Sequence, residues 1–350
     1  MFDGFSLPVL MVIFAAAAGI VWAAGVWLSD TTDTISSRFH LGQAIGGIIL
    51  LAIGTNLPEI AITVSAALKH NLGIAIGNLL GGIAIQTVVL VALDVAVRGD
   101  KPLTYRAASL VLALEAALVT LALAIAILGT QLSPRLVFWR ITPQNIAIVL
   151  VWITGLWLLK SAPVWMPWQL KSGDKDAKPA GHSQQIKDQH AGSTSKVLVK
   201  FAAACIATLG AGVALEESGN ALAGHFGISG VLFGATVLAA STSIPELATG
   251  ITSIRMGDYQ LAASDIFGGN AFLPVLFLVA SLISGEAVLP LAQKTDVYLA
   301  ALGIAVTAIY IFGLILRPSR RFARMGIDSW LVILTYAMGM AGLIYVHNGR

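Results

Sequence analysis

The chain has 350 residues, of which 57% are hydrophobic and only 11% are charged, and its mean hydropathy is +0.84. Soluble domains carry about 25% charged residues, so the composition excludes an ordinary soluble enzyme and indicates a polytopic membrane protein. The net charge of +3 does not indicate a nucleic acid partner, because the basic residues lie in loops between apolar segments, where they set membrane topology.

Ten apolar segments are separated by polar, glycine or proline residues. Crossing a hydrocarbon core of about 30 Å takes roughly 20 apolar residues. The predicted spans are 7–28, 41–68, 72–97, 105–128, 142–160, 197–222, 228–254, 259–283, 297–316 and 327–346. We therefore predict an all-α membrane protein of ten transmembrane helices, with a five-helix repeat at 1–160, a polar cytoplasmic linker at 161–196 and a second five-helix repeat at 197–350.

A motif with a proline and a glutamate inside an apolar span occurs twice, as Gly54-Thr55-Asn56-Leu57-Pro58-Glu59 and Ser241-Thr242-Ser243-Ile244-Pro245-Glu246. The offset of 187 residues also pairs Asn78 with Asp265, and Gly81-Gly82 with Gly268-Gly269. An ionisable residue in hydrocarbon costs at least about 2.5–3.5 kcal/mol, so it normally faces a bundle interior or a water-filled cavity. Proline-interrupted segments at matching positions in two halves indicate a transporter's binding site near the bilayer midplane.

The lysine and arginine residues are divided unequally between the two sets of loops. Sixteen of the 21 fall in the loops that share a side with the linker. Because cytoplasmic loops retain basic residues, we expect a multi-pass protein of the cell membrane with both termini extracytoplasmic and the linker cytoplasmic. An odd number of spans in each repeat then makes the two repeats inverted, and the broken helices of the two motifs face each other.

The polar groups of the two motifs are expected to converge on one site. If the second and third spans of each half pack together, Glu59 and Glu246 meet Asn78 and Asp265 at the midplane. Such a set of oxygens suits a hard cation such as Ca²⁺. Further oxygens come from Thr55, Asn56, Thr242 and Ser243, and from the carbonyls that Pro58 and Pro245 leave without an amide partner. Three carboxylates exceed the charge of one Ca²⁺, so we expect Asp265 to hold a proton.

These residues carry a family resemblance. Residues 54–59 with Gly77-Asn78-Leu79-Leu80-Gly81, and residues 241–246 with Ser264-Asp265-Ile266-Phe267-Gly268, resemble the paired repeats of the calcium/cation antiporter superfamily, especially its prokaryotic sodium/calcium exchanger branch. The resemblance implies Ca²⁺ binding by the carboxylates of Glu59 and Glu246 and by carbonyl oxygens of Thr55 and Thr242. It also implies that Asn78 and Asp265 complete the set of sites and that Ser243 serves Na⁺.

The sequence also departs from that family. Asn56 stands where that branch usually has a serine, and an asparagine at this place resembles the proton-coupled exchangers of the superfamily. Ile74 and Leu261 stand where polar residues are common. The prediction is therefore an antiporter, not an enzyme, that exchanges Ca²⁺ for Na⁺ or H⁺. A monovalent cation/H⁺ exchanger or an exchanger of another divalent ion is the alternative. We expect no cofactor beyond the transported ions, and as partners the lipid bilayer and inorganic cations without an obligate protein.

Other classes of function fit the pattern less well. A cation channel would not need two inverted repeats with broken helices, and an intramembrane enzyme would need a Ser/Lys dyad or a histidine metal motif in the spans. A transporter-like scaffold without transport is suggested only by Ile74, Ile83 and Leu261.

Glu115 has no acidic counterpart in the second half and is assigned either to structural pairing or to a proton role. Glu216 and Glu217 are predicted near a helix end, solvated or interfacial.

Overall fold

The structure, a computed structural model, describes residues 2, 4–38, 52–131, 139–165, 193–228 and 230–348, and these residues are predominantly helical. Within this part, eight helical segments are long and apolar enough to cross a membrane, which confirms a helical membrane protein. The long helices are α1 (Leu7–Arg38), α4 (Leu72–Ala96), α6 (Leu110–Thr130), α7 (Pro143–Trp165), α8 (Thr194–Phe226), α14 (Lys294–Leu316) and α15 (Ile327–Asn348). Most of the predicted linker lies outside the described residues.

The predicted second span is interrupted, as its proline suggests. Its described part consists of α2 (Ala52–Thr55) and α3 (Leu57–Leu68), separated by the single residue Asn56, and Pro58 lies in the first turn of α3. Proline has no amide hydrogen and favours the start of a helix, so the chain restarts its helix there. Residues 41–51 of this predicted span lie outside the described residues.

The predicted seventh span is interrupted at the equivalent place. It consists of α9 (Gly230–Phe233), a π-helical turn (Gly234–Leu238), α10 (Ala239–Thr242) and α11 (Ile244–Arg255). Ser243 separates α10 from α11, and Pro245 lies in the first turn of α11. Single π-helical turns within α-helices are frequent at functional sites. The two breaks, at Asn56 and Ser243, are related by the 187-residue offset of the motifs.

Several predicted boundaries need correction. The fourth span was predicted to begin at residue 105, but this residue belongs to a separate short helix, α5 (Leu103–Ala107). Helix α6 begins at Leu110, where the Ser109 side chain caps it by accepting a hydrogen bond from the Val111 amide. The predicted span 259–283 is α12 (Tyr259–Phe272), a 3₁₀ turn (Leu273–Val275) and α13 (Leu276–Ser284), because Pro274 interrupts the hydrogen-bond ladder. A further 3₁₀ turn, Leu289–Leu291, precedes α14.

A β-hairpin between α14 and α15 was not predicted. Its strands β1 (Arg321–Phe322) and β2 (Met325–Gly326) pair antiparallel, and Ala323 and Arg324 turn between them with positive φ. The Arg321 guanidinium donates hydrogen bonds to the carbonyls of Asp94, Val97 and Gly99. The hairpin thus caps the C-terminus of α4, where carbonyl groups lack helical partners.

Helices α1 and α8 pack closely on the two broken helices. A Cβ atom at Gly25 of α1 would lie 2.6 Å from Cβ of Pro245, and one at Gly212 of α8 would lie 3.0 Å from the carbonyl oxygen of Pro58. Gly25 and Gly212 are themselves related by the 187-residue offset. Small residues at helix contacts let backbones approach closely in membranes. Each long helix therefore covers the proline of the motif in the other half of the chain.

Gly81 lies in close contact with the π-helical turn, and this contact supports a substitution test. A Cβ atom at Gly81 would lie 2.2 Å from Cα of Ala235 in the π-helical turn, whereas one at Gly82 would lie 3.7 Å from the nearest atom, Cδ1 of Leu273. Overpacking costs about 1–3 kcal/mol, and here the clash is with backbone. We expect Gly81→Ala to lower the thermal unfolding temperature in detergent while Gly82→Ala leaves it unchanged; equal temperatures would contradict this packing.

Candidate cation site

Glu59 is presented by the break between α2 and α3. It lies in the first turn of α3 and its side chain is fully buried. Its Oε1 accepts a hydrogen bond of 3.0 Å from Nε2 of Gln86 on α4, and the Thr242 side chain of the other motif lies close to the carboxylate. The N-terminal end of a helix favours negative charge, which suits a carboxylate in this position. No arginine or lysine side chain is paired with Glu59 among the described residues.

Glu246 occupies the equivalent place in the second half. It lies in the first turn of α11, is 1% exposed, and has the Thr55 side chain near its carboxylate. Glu59 and Asp265 both lie close enough for their charges to act on it. Each motif therefore brings its threonine to the glutamate of the other motif. The predicted meeting of the two Pro-Glu segments is found in the structure.

Asp265 and Asn78 come from α12 and α4, and both are buried. Asp265 Oδ2 accepts a 2.6 Å hydrogen bond from the Thr249 hydroxyl, and Oδ1 is 3.5 Å from the Thr55 hydroxyl. The Asn78 amide, in contrast, has no hydrogen-bond partner among the described residues. A buried amide without partners costs free energy, so Asn78 has bonding capacity for a group other than the described residues.

The carboxylates do not form a closed cluster of three. Among the residues that the structure describes, no three His, Cys, Asp or Glu side chains come close enough together to hold a metal ion. Asp265 instead has two hydroxyl neighbours, those of Thr249 and Thr55. The assignment of all three carboxylates to one ion remains a prediction, and any ion bound here needs oxygens from neutral groups as well.

The remaining predicted ligands are buried beside the breaks. Asn56 packs against α12, where a Cβ atom at Gly269 would lie 2.6 Å from its Nδ2. The hydroxyls of Thr242 and Ser243 donate to the carbonyl of Ala239, at 3.2 and 2.7 Å. The Ser243 hydrogen atom is thus directed back along α10, which leaves lone pairs of its oxygen for a cation. The Thr242 hydroxyl has two acceptors within reach, this carbonyl and the Glu59 carboxylate.

Four polar residues around the site were not predicted. Gln86 and Thr249 bind the carboxylates of Glu59 and Asp265, while Asn270 donates to the Ile83 carbonyl at 3.3 Å and to the Thr87 hydroxyl at 3.1 Å. All four are buried. Gln86 and Asn270 are amides within apolar helices, which is a detectable signal for a polar contact, but the partners of these amides are not given by the sequence.

Glu216 corrects another prediction, since it is fully buried rather than solvated. It lies within α8 and accepts hydrogen bonds from Nζ of Lys69 at 2.5 Å and from the Ser65 hydroxyl at 2.9 Å, while Lys69 also contacts Glu217. Burial by itself lowers the pKa of Lys69, but its bonds and charge interactions with Glu216 and Glu217 outweigh burial and raise that pKa above its ordinary value. We call these residues the Lys69 cluster: Ser65, Lys69, Glu216 and Glu217.

Paired broken helices that bring buried carboxylates together inside a helical membrane protein define a secondary cation transporter. The sequence profile described as "Sodium/calcium exchanger protein" matches residues 9–159 and 196–345. The chain belongs to this family and is a membrane cation antiporter.

Similar proteins support the assignment of the fold. The inner membrane protein YrbG of Escherichia coli (strain K12) is 27% identical over 342 residues, covering 93% of this chain and 94% of YrbG. The crystal structure of the H⁺/Ca²⁺ exchanger CAX is 14% identical with a TM-score of 0.67, covering 96% of this chain and 86% of CAX. A structure of the sodium-calcium exchanger NCX_Mj is 18% identical with a TM-score of 0.59, covering 96% of this chain and 99% of NCX_Mj. At these identities the two structures establish a shared fold.

Proposed function

We propose that this antiporter exchanges Ca²⁺ for Na⁺ or H⁺ across the cell membrane by alternating access. The observation that carries the proposal is the meeting of Glu59 and Glu246 from two broken helices, both buried, with no paired cation among the described residues. Two carboxylates match the charge of one Ca²⁺. Asn78, Asp265, Thr55, Asn56, Thr242 and Ser243 supply the additional oxygens that a coordination number of six to eight requires.

We further propose that ten spans form two inverted five-span repeats. Three sets of contacts support a two-fold relation at the 187-residue offset. In the first set, Gly25 contacts Pro245, and the equivalent Gly212 contacts Pro58. In the second set, Thr55 lies beside Glu246, and the equivalent Thr242 lies beside Glu59. Ile83 and Asn270, which are 187 residues apart, contact each other, as residues beside a two-fold axis do. With five spans in each repeat, this axis lies in the membrane plane.

The counter-ion is either Na⁺ or H⁺. Similar solved structures carry the names of an H⁺/Ca²⁺ exchanger and a sodium-calcium exchanger, and both fit the same fold. The hydroxyl oxygens of Thr242 and Ser243 are available to Na⁺, whereas the two buried carboxylates of Glu59 and Glu246 are groups that can also carry H⁺. Exchange of a monovalent cation or of another divalent ion is the second candidate, and a cation channel is disfavoured by the paired breaks.

The proposal is tested by uptake of radioactive calcium into proteoliposomes of the purified protein. An outward-directed Na⁺ gradient or H⁺ gradient is imposed separately, each with the membrane potential clamped. We expect uptake to depend on one of these gradients. Uptake without any imposed counter-ion gradient, at the same clamped potential, would indicate a channel, and gradient-driven uptake of another cation in place of calcium would favour the second candidate.

The orientation supports a separate prediction. Ser183, in the linker and outside the described residues, is replaced by cysteine in a Cys205→Ala background, which leaves one thiol in the chain. Because most basic residues fall on the linker side, we expect an impermeant thiol reagent to label this cysteine only after the cells are permeabilised. Labelling of intact cells would invert the proposed topology.

A further inference from the structure

Glu115 is a buried carboxyl group that the proposed cation site does not use. It lies on α6 and is 1% exposed. Its helical neighbours Leu112 and Ala116 pack in an apolar core with Leu302 and Val306 of α14. The sequence left the role of Glu115 open between pairing and proton binding. Structural ion pairing is not found among the described residues, since no lysine, arginine or histidine is bonded to it.

One neutral group binds this carboxyl. The Ser264 hydroxyl on α12 donates a 3.0 Å hydrogen bond to Oε1, and Oε2 has no partner among the described residues. An ionised carboxylate buried without a cation is strongly disfavoured and normally takes up a proton. The Ser264 bond favours the ionised form to a smaller extent. Both protonation states are thereby accessible, and the charge around the group decides between them.

The position of Ser264 links this group to the cation site. Ser264 is adjacent in sequence to Asp265, which is proposed to face the ion, so α12 separates Glu115 from the site by a single helix. The packed helices also carry other titratable side chains, which are Asp265 and Tyr259 on α12, Lys294, Asp296, Tyr298 and Tyr310 on α14, and Lys160 on α7. None of them is hydrogen-bonded to Glu115 in the described part of the chain. A divalent ion across α12 would add a positive charge to the surroundings of Glu115.

We propose that Glu115 is a second proton-binding site of the antiporter, linked to cation occupancy across α12. Glu115 holds a proton when no divalent ion is bound. Binding of the ion favours the ionised carboxylate, so the proton is released, and proton uptake by Glu115 in turn favours release of the ion. By linkage the two effects are equal in free energy. This inference rests on the proposed function, because it requires Ca²⁺ to bind at Glu59 and Glu246.

Proton release on Ca²⁺ binding tests the inference in purified full-length protein. Ca²⁺ is added in weakly buffered detergent solution, with bound Ca²⁺ and released protons measured together. We expect Glu115→Gln to bind Ca²⁺ but to release fewer protons, by about one per ion near the pH where Glu115 titrates. Infrared difference spectra should show loss of protonated carboxyl absorption on Ca²⁺ binding in the unmodified protein, and in Glu115→Gln this loss should be smaller by the contribution of one carboxyl group.

Matched variants separate a proton site from a structural role. Ser264→Ala removes only the donor to Oε1, so we expect proton release to persist and its pH dependence to move to higher pH, with Ser264→Thr restoring the original profile. Unchanged proton release and an unchanged infrared band in Glu115→Gln would overturn the inference while leaving the proposed function intact. Absence of Ca²⁺ binding to the unmodified protein would instead overturn the proposed function, and would be recognised before any variant is compared.

Discussion

Replacement of Glu59 or Glu246 by glutamine is expected to reduce divalent cation exchange to background. Glutamine keeps the size of the side chain but removes one negative charge from a buried site. At about 4 Å and an effective dielectric constant of about 20, one pair of unit charges contributes about 4 kcal/mol. Since about 1.4 kcal/mol corresponds to a tenfold change, loss of one carboxylate weakens binding of an ion by at least about a thousandfold. Flux of radioactive calcium into proteoliposomes measures the effect.

The variants need a control for insertion and folding. Glu286→Gln also removes one carboxylate, but Glu286 is exposed in the loop after α13, where it pairs with His70. We expect its flux to match that of the unmodified protein. Monodisperse elution in detergent should be the same for all three variants. If the Glu59 and Glu246 variants both transport normally in correctly inserted protein, the assignment of the site to these carboxylates is wrong.

The sequence predicts the centre of this site because its signals are local and repeated. Proline removes one amide hydrogen wherever it lies within a helix, so Pro58 and Pro245 predict the breaks that the structure places at Asn56 and Ser243. A carboxylate one position later cannot face lipid cheaply, which places Glu59 and Glu246 inside the bundle. The repeat then brings the two motifs together without any knowledge of the intervening helices.

The contacts around the centre depend on tertiary packing and were not predicted. Gln86 is 27 residues from Glu59, to which it is hydrogen-bonded, and Ser264 is 149 residues from its hydrogen-bond partner Glu115. Periodicity along one helix identifies a buried face but not which residue of another helix meets it. The same reason explains the error at Glu216, because a glutamate predicted near a helix end is expected to be solvated until Lys69, 147 residues away, is seen to contact it.

Loss of the Lys69 ammonium is expected to destabilise the protein strongly. The Glu216 side chain is 0% exposed and the Lys69 side chain is 35% exposed. Among the described residues, Lys69→Met therefore leaves a buried carboxylate with only the Ser65 hydroxyl bonded to it. Breaking a buried pair by removing one partner costs about 3–5 kcal/mol, and partial access of water to Lys69 favours a value near the lower end. We expect a correspondingly lower thermal unfolding temperature in detergent, measured by intrinsic fluorescence.

The Lys69 ammonium should stay charged through the neutral range. Because the pKa of Lys69 is raised in the folded protein, the stabilisation it gives is fully present below its unfolded pKa and is lost only as the pH rises through the folded value. Values of about pH 6 and about pH 8 both lie far below the ordinary lysine pKa of about 10.4. Any difference between these two pH values in the effect of Lys69→Met should therefore come from the carboxylate left behind, and it should be absent when Glu216→Gln is added.

A double variant separates the missing charge from the missing contact. In Lys69→Met with Glu216→Gln the buried carboxylate is also absent, so most of the lost stability should return, because the cost of a broken pair is mainly the charge left behind. Lys69→Arg keeps the cation and is the matched control. The cluster joins the end of α3 to α8, the same two helices that meet at Pro58 and Gly212 beside the site. If the double variant is as unstable as Lys69→Met alone, the cluster stabilises the α3–α8 contact by packing rather than by charge.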